Sequence, residues 1–191
     1  MRSTVLYLVM AVLIFTLPVN GWGQDVSAQL AEQAKKAAIL ASLAGKLMNQ
    51  SISYGRLAKD LNEIVSNYTK KYELNREMGL ANFIFSREHG KEMVSDLLGV
   101  DDRFMATGNL CLMYVLLIDP YKITDPDKDK QAKTLIKGFL DHSSRQIDFT
   151  IKYINSVVLI REQDQVIIEY AMRIKDELYK GQEILRSANI E

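Results

Sequence analysis

The strongest constraint on this chain is a heptad. Ala37, Leu40, Ala44, Leu47, Ser51, Tyr54, Ala58, Leu61, Val65, Tyr68 and Tyr72 follow one another in alternating steps of three and four. Ser51 alone among them is neither apolar nor aromatic. Seven residues span nearly two helical turns, so such a repeat holds one stripe of a long helix against a neighbouring helix. The pattern predicts a helix over residues 26–75, about 75 Å long. Asp25 or Ser27 would cap its start. The stretch is rich in Ala, Leu, Lys, Gln and Glu, all strong helix formers, and no proline falls between Asp25 and Pro120. Gly45 and Gly55 lie inside it, where they weaken the helix locally and permit close contact or a bend.

The remainder reads as helical too. Gly79, Gly90, Gly99 and Gly108 punctuate residues 76–126 and predict short helices over Leu80–Glu88, Lys91–Leu98 and Arg103–Ile118. The apolar run Leu110–Ile118 is too short to cross a bilayer as a helix. It reads as a buried helix, with insertion into a membrane or a partner as the alternative. Asp125 before Pro126 is a helix start, after a loop that begins at Asp119-Pro120. The helix that follows places Ala132, Ile136, Leu140, Ile147, Ile151, Ile154 and Val158 on one face, with Ser143 as a polar interruption. A last helix carries Ile167, Ala171, Ile174, Leu178, Gly181 and Leu185. No Gly or Pro separates these two helices. A phase change places the break near Leu159–Glu162, and one continuous helix is the alternative. No segment alternates like a strand. The expected fold is therefore all-α: an elongated bundle with a long N-terminal helix, a short-helix appendage and a C-terminal helical pair.

The first residues read as an address. Met1-Arg2 is followed by the apolar run Val5–Leu17, then Pro18, then Gly21-Trp22-Gly23. This is the layout of a secretory signal peptide, with cleavage before Gln24. Residues 24–191 would then form one helical domain, exported to the periplasm or the cell surface. No Cys lies near the cleavage point to carry a lipid anchor, and the single Cys of the chain cannot form an internal disulfide.

Chemistry is hard to find. Lys and Arg number 24 against 24 Asp and Glu, so the charge balance gives no footprint for nucleic acid. Asp125, Asp127 and Asp129 have the spacing that opens a calcium loop. Lys130 and Ile136 stand where that loop needs Gly and Glu, so no metal site is expected. His89 and His142 lack a second histidine at i+3 or i+4; Glu88 and Glu92 flank His89, but His-Gly at a turn is ordinary. Cys111 sits inside an apolar run where a thiol is inert. No phosphate loop or nucleophile elbow occurs. No catalytic residue and no cofactor is expected, and the chain does not read as an enzyme. The candidate partner surface is the small-residue stretch Ala34, Ala37, Ala41 and Ala44, with Tyr54 beyond it. Tyr68, Tyr72, Tyr153, Tyr170 and Tyr179 are further aromatic positions on the long helices.

One resemblance bears on function. Gln29–Tyr72 and Ile151–Arg186, in that order around the short helices, resemble exported helical minor-pilin or pilus-tip proteins of bacterial conjugative (type IV secretion) systems, including the Bacteroidetes conjugative-transposon type. Ile154-Asn155-Ser156-Val157-Val158 followed by Arg161-Glu162-Gln163-Asp164-Gln165-Val166-Ile167 looks like that family's junction before its last helix. Ile160 and Arg161 stand where the family usually has a Thr-Asp or Ser-Asp cap. The resemblance implies an elongated three-helix bundle with a small helical appendage. It implies a structural or adhesive role without catalysis, and partners among the other subunits of an envelope assembly or a second copy of the chain. A helical binding module and a membrane-active helical protein are the other classes the sequence leaves open.

Export is checked by the intact mass of protein recovered from the exported fraction. The expected chain starts at Gln24, and retention of Met1 would overturn the signal-peptide reading.

Overall fold

A computed structural model of the chain describes residues 24–74, 79–117 and 126–188. The expected leader, the Asp125 cap, and Ile118 with Asp119-Pro120 lie outside these residues. Six α-helical segments are described: α1 Gln24–Ser66, α2 Tyr68–Leu74, α3 Leu80–Leu117, α4 Pro126–Tyr153, α5 Leu159–Arg161 and α6 Gln165–Arg186. A π-helical turn, Ile154–Val158, joins α4 to α5. No strand occurs among the described residues. The fold is all-α and elongated, with a long N-terminal helix and a C-terminal helical pair. With 43 residues, α1 is about 65 Å long.

The heptad seam faces inward along nearly its whole length. Leu40, Ala44, Leu47, Ser51, Tyr54, Ala58, Leu61, Val65 and Tyr68 are buried, and Ala37 and Tyr72 are half-buried at the ends. The expected single helix is interrupted once, at Asn67. There the backbone N–H turns back to the Ile64 carbonyl at 3.0 Å. Ser66 Oγ and Asn67 Nδ2 donate to the carbonyls of Asn62 and Glu63. Side chains that bond the preceding turn compete with helix continuation. The helix resumes at α2 without losing the seam.

Four long helices pack in a ring, each antiparallel to its neighbours. Ser51 of α1 donates to Asp101 of α3, and Val65 lies against Gly90, so numbers rise on one helix as they fall on the other. Gln50 meets Glu177 and Lys71 meets Asp164, which sets α6 antiparallel to α1. Gln182 with Asp148 and Lys175 with Asn155 do the same for α4 and α6. The result is an up-down-up-down bundle. It has a fourth long helix where the resemblance implied three.

That fourth helix is the main correction to the sequence reading. Leu80–Leu117 is one helix of 38 residues, not three short ones. Gly90 and Gly108 are contact points, not breaks. A Cβ on Gly90 would stand 2.4 Å from Val65 Cγ2, and one on Gly108 3.0 Å from Met48 Cγ. The two glycines are about five turns apart and so share a face, the one pressed on α1. Gly99, midway, is on the opposite side and a Cβ there would meet nothing within 4 Å.

At the bundle's middle all four long helices converge on Gly181. Tyr54 of α1 and Phe104 of α3 meet edge to face with centroids 5.3 Å apart. A Cβ on Gly181 of α6 would lie 2.0 Å from the Tyr54 hydroxyl, 3.1 Å from Phe104 Cζ and 3.2 Å from Ile147 Cδ1 of α4. Replacing Gly181 by Ala is expected to cost about 3 kcal/mol through overpacking, and to lower the melting temperature accordingly. Gly99→Ala, with open space beside it, is expected to gain about 0.5–1 kcal/mol from helix propensity. Thermal melts of the two variants check this pair of opposite signs.

Candidate functional site

The densest buried polar cluster lies where α5 turns into α6. Arg161 is the last helical residue, and Glu162 is extended with ψ 140°. Glu162 is nearly enclosed, its side chain 2% exposed. Its Oε1 accepts the backbone N–H groups of Gln163 and Asp164, each at 2.8 Å, and the Ser86 hydroxyl at 2.5 Å. The Nδ1–H of His89 donates to Oε2 at 2.8 Å. One carboxylate thus makes the turn that a glycine or proline usually makes, and ties it to α3.

Asp164 continues the cluster. Its Oδ1 accepts Val166 N–H at 2.9 Å and so caps α6. Its Oδ2 takes the Lys71 ammonium, which joins α2 to the same junction. Burial alone would raise the Asp164 pKa. The Lys71 ammonium, the Tyr68 hydroxyl beside it and the Val166 N–H more than offset this and hold it below the usual range. Burial, with Asp164 close by, pushes the Tyr68 phenol well above its ordinary value. Tyr68 and Tyr72 flank Phe83 at centroid distances of 6.1 and 4.8 Å.

This cluster holds the turn and does not have the order of a serine–histidine site. Catalysis of the serine–histidine type places the imidazole between hydroxyl and acid. Here the carboxylate sits between Ser86 and His89, and both are buried. Among the described residues no group of three or more His, Cys, Asp or Glu is placed to hold a metal. Asp129 pairs with Lys133 at 3.2 Å. The Cys111 thiol is buried, and burial pushes it up to about 11. His142 is exposed, beside an apolar hollow of about 540 Å³ along α4 with Leu135, Gly138 and Phe139.

The expected partner surface divides in two. Ala44 and Tyr54 are core residues, each 0% exposed, so neither offers a surface in this fold. Tyr54 is needed inside, where its hydroxyl donates to the Glu177 carbonyl at 3.3 Å. Ala34, Ala37 and Ala41 are half-covered on α1, with Ala38 and Ile39 exposed among them. Of the other tyrosines, Tyr68 is buried, Tyr72, Tyr153 and Tyr170 are half-buried, and Tyr179 is exposed. Around the apolar run, Cys111, Tyr114 and Val115 face the core while Met113 and Leu116 are 58% and 73% exposed. No helix among the described residues is long and apolar enough to cross a membrane.

The junction escaped sequence reading because Ser86 and His89 are 76 and 73 residues from Glu162. The one local signal was Asp164 two residues before Val166, an ordinary cap spacing. No protein-family model matches this chain, and searches of curated proteins and of solved structures return no match.

Glu162→Ala would leave a hydroxyl, an imidazole N–H and two backbone N–H groups without their acceptor. It is expected to cost about 3 kcal/mol. The Asp164 contribution has a pH signature. Its folded pKa lies below the unfolded value of 3.8, so the stabilisation is complete above that value and is lost as pH falls through the folded one. Asp164→Asn is therefore expected to melt below wild type at pH 7, with the gap closing in acid. Melts from pH 7 down to about pH 2.5 check both the cost and the closure.

Proposed function

We propose that this protein is an exported, non-enzymatic structural or adhesive component of an envelope-spanning conjugative transfer machine, acting through helix–helix protein contacts. The observation that carries the reading is the first part of α1. The helix begins at Gln24, yet among its described side chains the first buried one is Leu40. Ala34 and Ala37 before it and Ala41 just after it are only half-covered, so this part of a strong helix former offers a shallow, small-residue face. Small side chains allow another helix to approach closely. An elongated bundle also exposes much side surface for its length, which suits assembly with neighbouring subunits. The leader Met1–Gly23 supplies the route out of the cytoplasm, and the likeness of Gln29–Tyr72 and Ile151–Arg186 to minor pilins supplies the machine.

Deletion of the gene followed by donor-to-recipient mating tests this. Transfer is expected to fall at least about tenfold and to return with the wild-type gene. It is expected not to return with Ala41→Glu, provided that variant keeps the wild-type helical spectrum. Normal transfer from the deletion strain would reject the machine-component reading in favour of a helical binding module unconnected with conjugation.

A further inference from the structure

Asp96 is packed without a counter-charge. It lies on α3, half-buried, and its Oδ2 is enclosed with no hydrogen-bond partner among the described residues. Other carboxylates that enter the packing are answered. Glu162 has four donors, Asp164 has Lys71 and Val166, Asp101 has Ser51, and Glu177 has Gln50 and Lys180.

The groups around Asp96 come from three directions. On α3, the exposed Glu92 stands one turn before it, a like charge at a spacing that repels. From α4 come Thr150, fully buried, and Tyr153, half-buried. The Tyr153 phenol feels Glu92, Asp96 and, from the junction, Glu162. At this level α1 turns Leu57, Ala58 and Leu61 inward, while Arg56, Lys59 and Asp60 are exposed. Cations do not compensate. Lys91 is engaged with Glu88, and neither Arg103 of α3 nor Arg145 or Lys152 of α4 pairs with Asp96 among the described residues.

The proton count at Thr150 decides what this arrangement favours. The hydroxyl beside Asp96 has one proton and gives it to the Gln146 carbonyl at 3.0 Å. An ionised Asp96 only accepts, so it competes with that carbonyl for a proton that serves one of them. A protonated Asp96 becomes a donor. Its O–H goes to the Thr150 oxygen, Thr150 keeps its bond to Gln146, and no group in the chain is left over.

We propose that Asp96 is a pH-sensitive clasp between α3 and α4, which loosens the pair when its carboxyl is ionised and closes it when the carboxyl takes up a proton. Burial and the neighbouring Glu92 raise the Asp96 pKa above 3.8, although the Thr150 hydroxyl works against them. Such a carboxyl adds stability that is complete below 3.8 and is lost as pH rises through the folded value. Asp164 acts in a separate window, since its contribution is lost only as pH falls below 3.8. The clasp does not depend on the transfer-machine reading.

Asp96→Asn tests it, because the amide has nearly the same shape and donates to Thr150 at every pH. At pH 7 the variant is expected to melt about 2–4 °C above wild type. The gap is expected to close as pH falls toward 3.8. Hydrogen exchange at pH 7 locates the effect: α4 amides around Thr150 are expected to exchange at least about threefold more slowly in the variant, while those of α6 keep their rates. In a Thr150→Val background, which removes the acceptor, most of the Asp96→Asn gain is expected to vanish. A variant that melts with or below wild type at pH 7 would overturn the clasp, because the ionised carboxyl would then be satisfied. So would a gap of constant size from pH 7 to about 4, or a gain undiminished by Thr150→Val.

Discussion

The Tyr54 hydroxyl rests against Gly181 where any larger residue would displace it, and the spacing of the four helices follows from that contact. Tyr54 brings a large ring to the centre of the bundle, and Phe104 meets it edge to face. Its hydroxyl then needs a partner in a place without water, and finds the Glu177 carbonyl one turn before Gly181. The glycine permits α6 to come close enough for both. Gly90 and Gly108 play the corresponding part between α3 and α1. Three glycines on two helices thus set how near the backbones lie, and the leucine and isoleucine side chains fill the distances that result.

Around that packed centre the polar groups are used sparingly and locally. Gln50 reaches the Glu177 carboxylate at 2.8 Å, and Ser51 engages Asp101. These are heptad or near-heptad positions where an apolar residue would pack as well, but each polar pair fixes which residues stand opposite one another. A bundle held by apolar stripes alone tolerates sliding by a turn; a buried pair makes the slid arrangement costly. The Glu162 junction does the same work at one end, where it fixes the angle at which α6 leaves α5.

How far the sequence could be read depended on whether a residue's role was local. The α1 stripe, the face that runs from Ile136 on α4 through the π-helical turn to Val158, and the α6 face from Ile167 to Gly181 were legible, because periodicity is a property of consecutive residues. The continuity of α3 was not. Four glycines in thirty residues look like punctuation unless one knows that Val65 and Met48 stand opposite two of them. The turn at Glu162 was located by a phase change yet left unexplained, since its acceptor role depends on Ser86 and His89 far away in the chain. Tyr54 was misread for the same reason. On α1 alone it is both a member of the heptad stripe and an aromatic beyond a small-residue stretch, and its contact with Gly181, far away in the chain, decides for the first.

The ring has one seam unlike the others. Consecutive long helices make the α1–α3, α3–α4 and α4–α6 pairs, so those can form as the chain turns back on itself. The α1–α6 pair joins residues more than a hundred positions apart at its middle. Closing it requires the other three pairings to be nearly in place, which makes it a late event in folding. The reverse also holds under mild stress. When the bundle breathes, α6 is the helix that can leave without disturbing the hairpins before it, and its amides will exchange with solvent before those at the centre of α3.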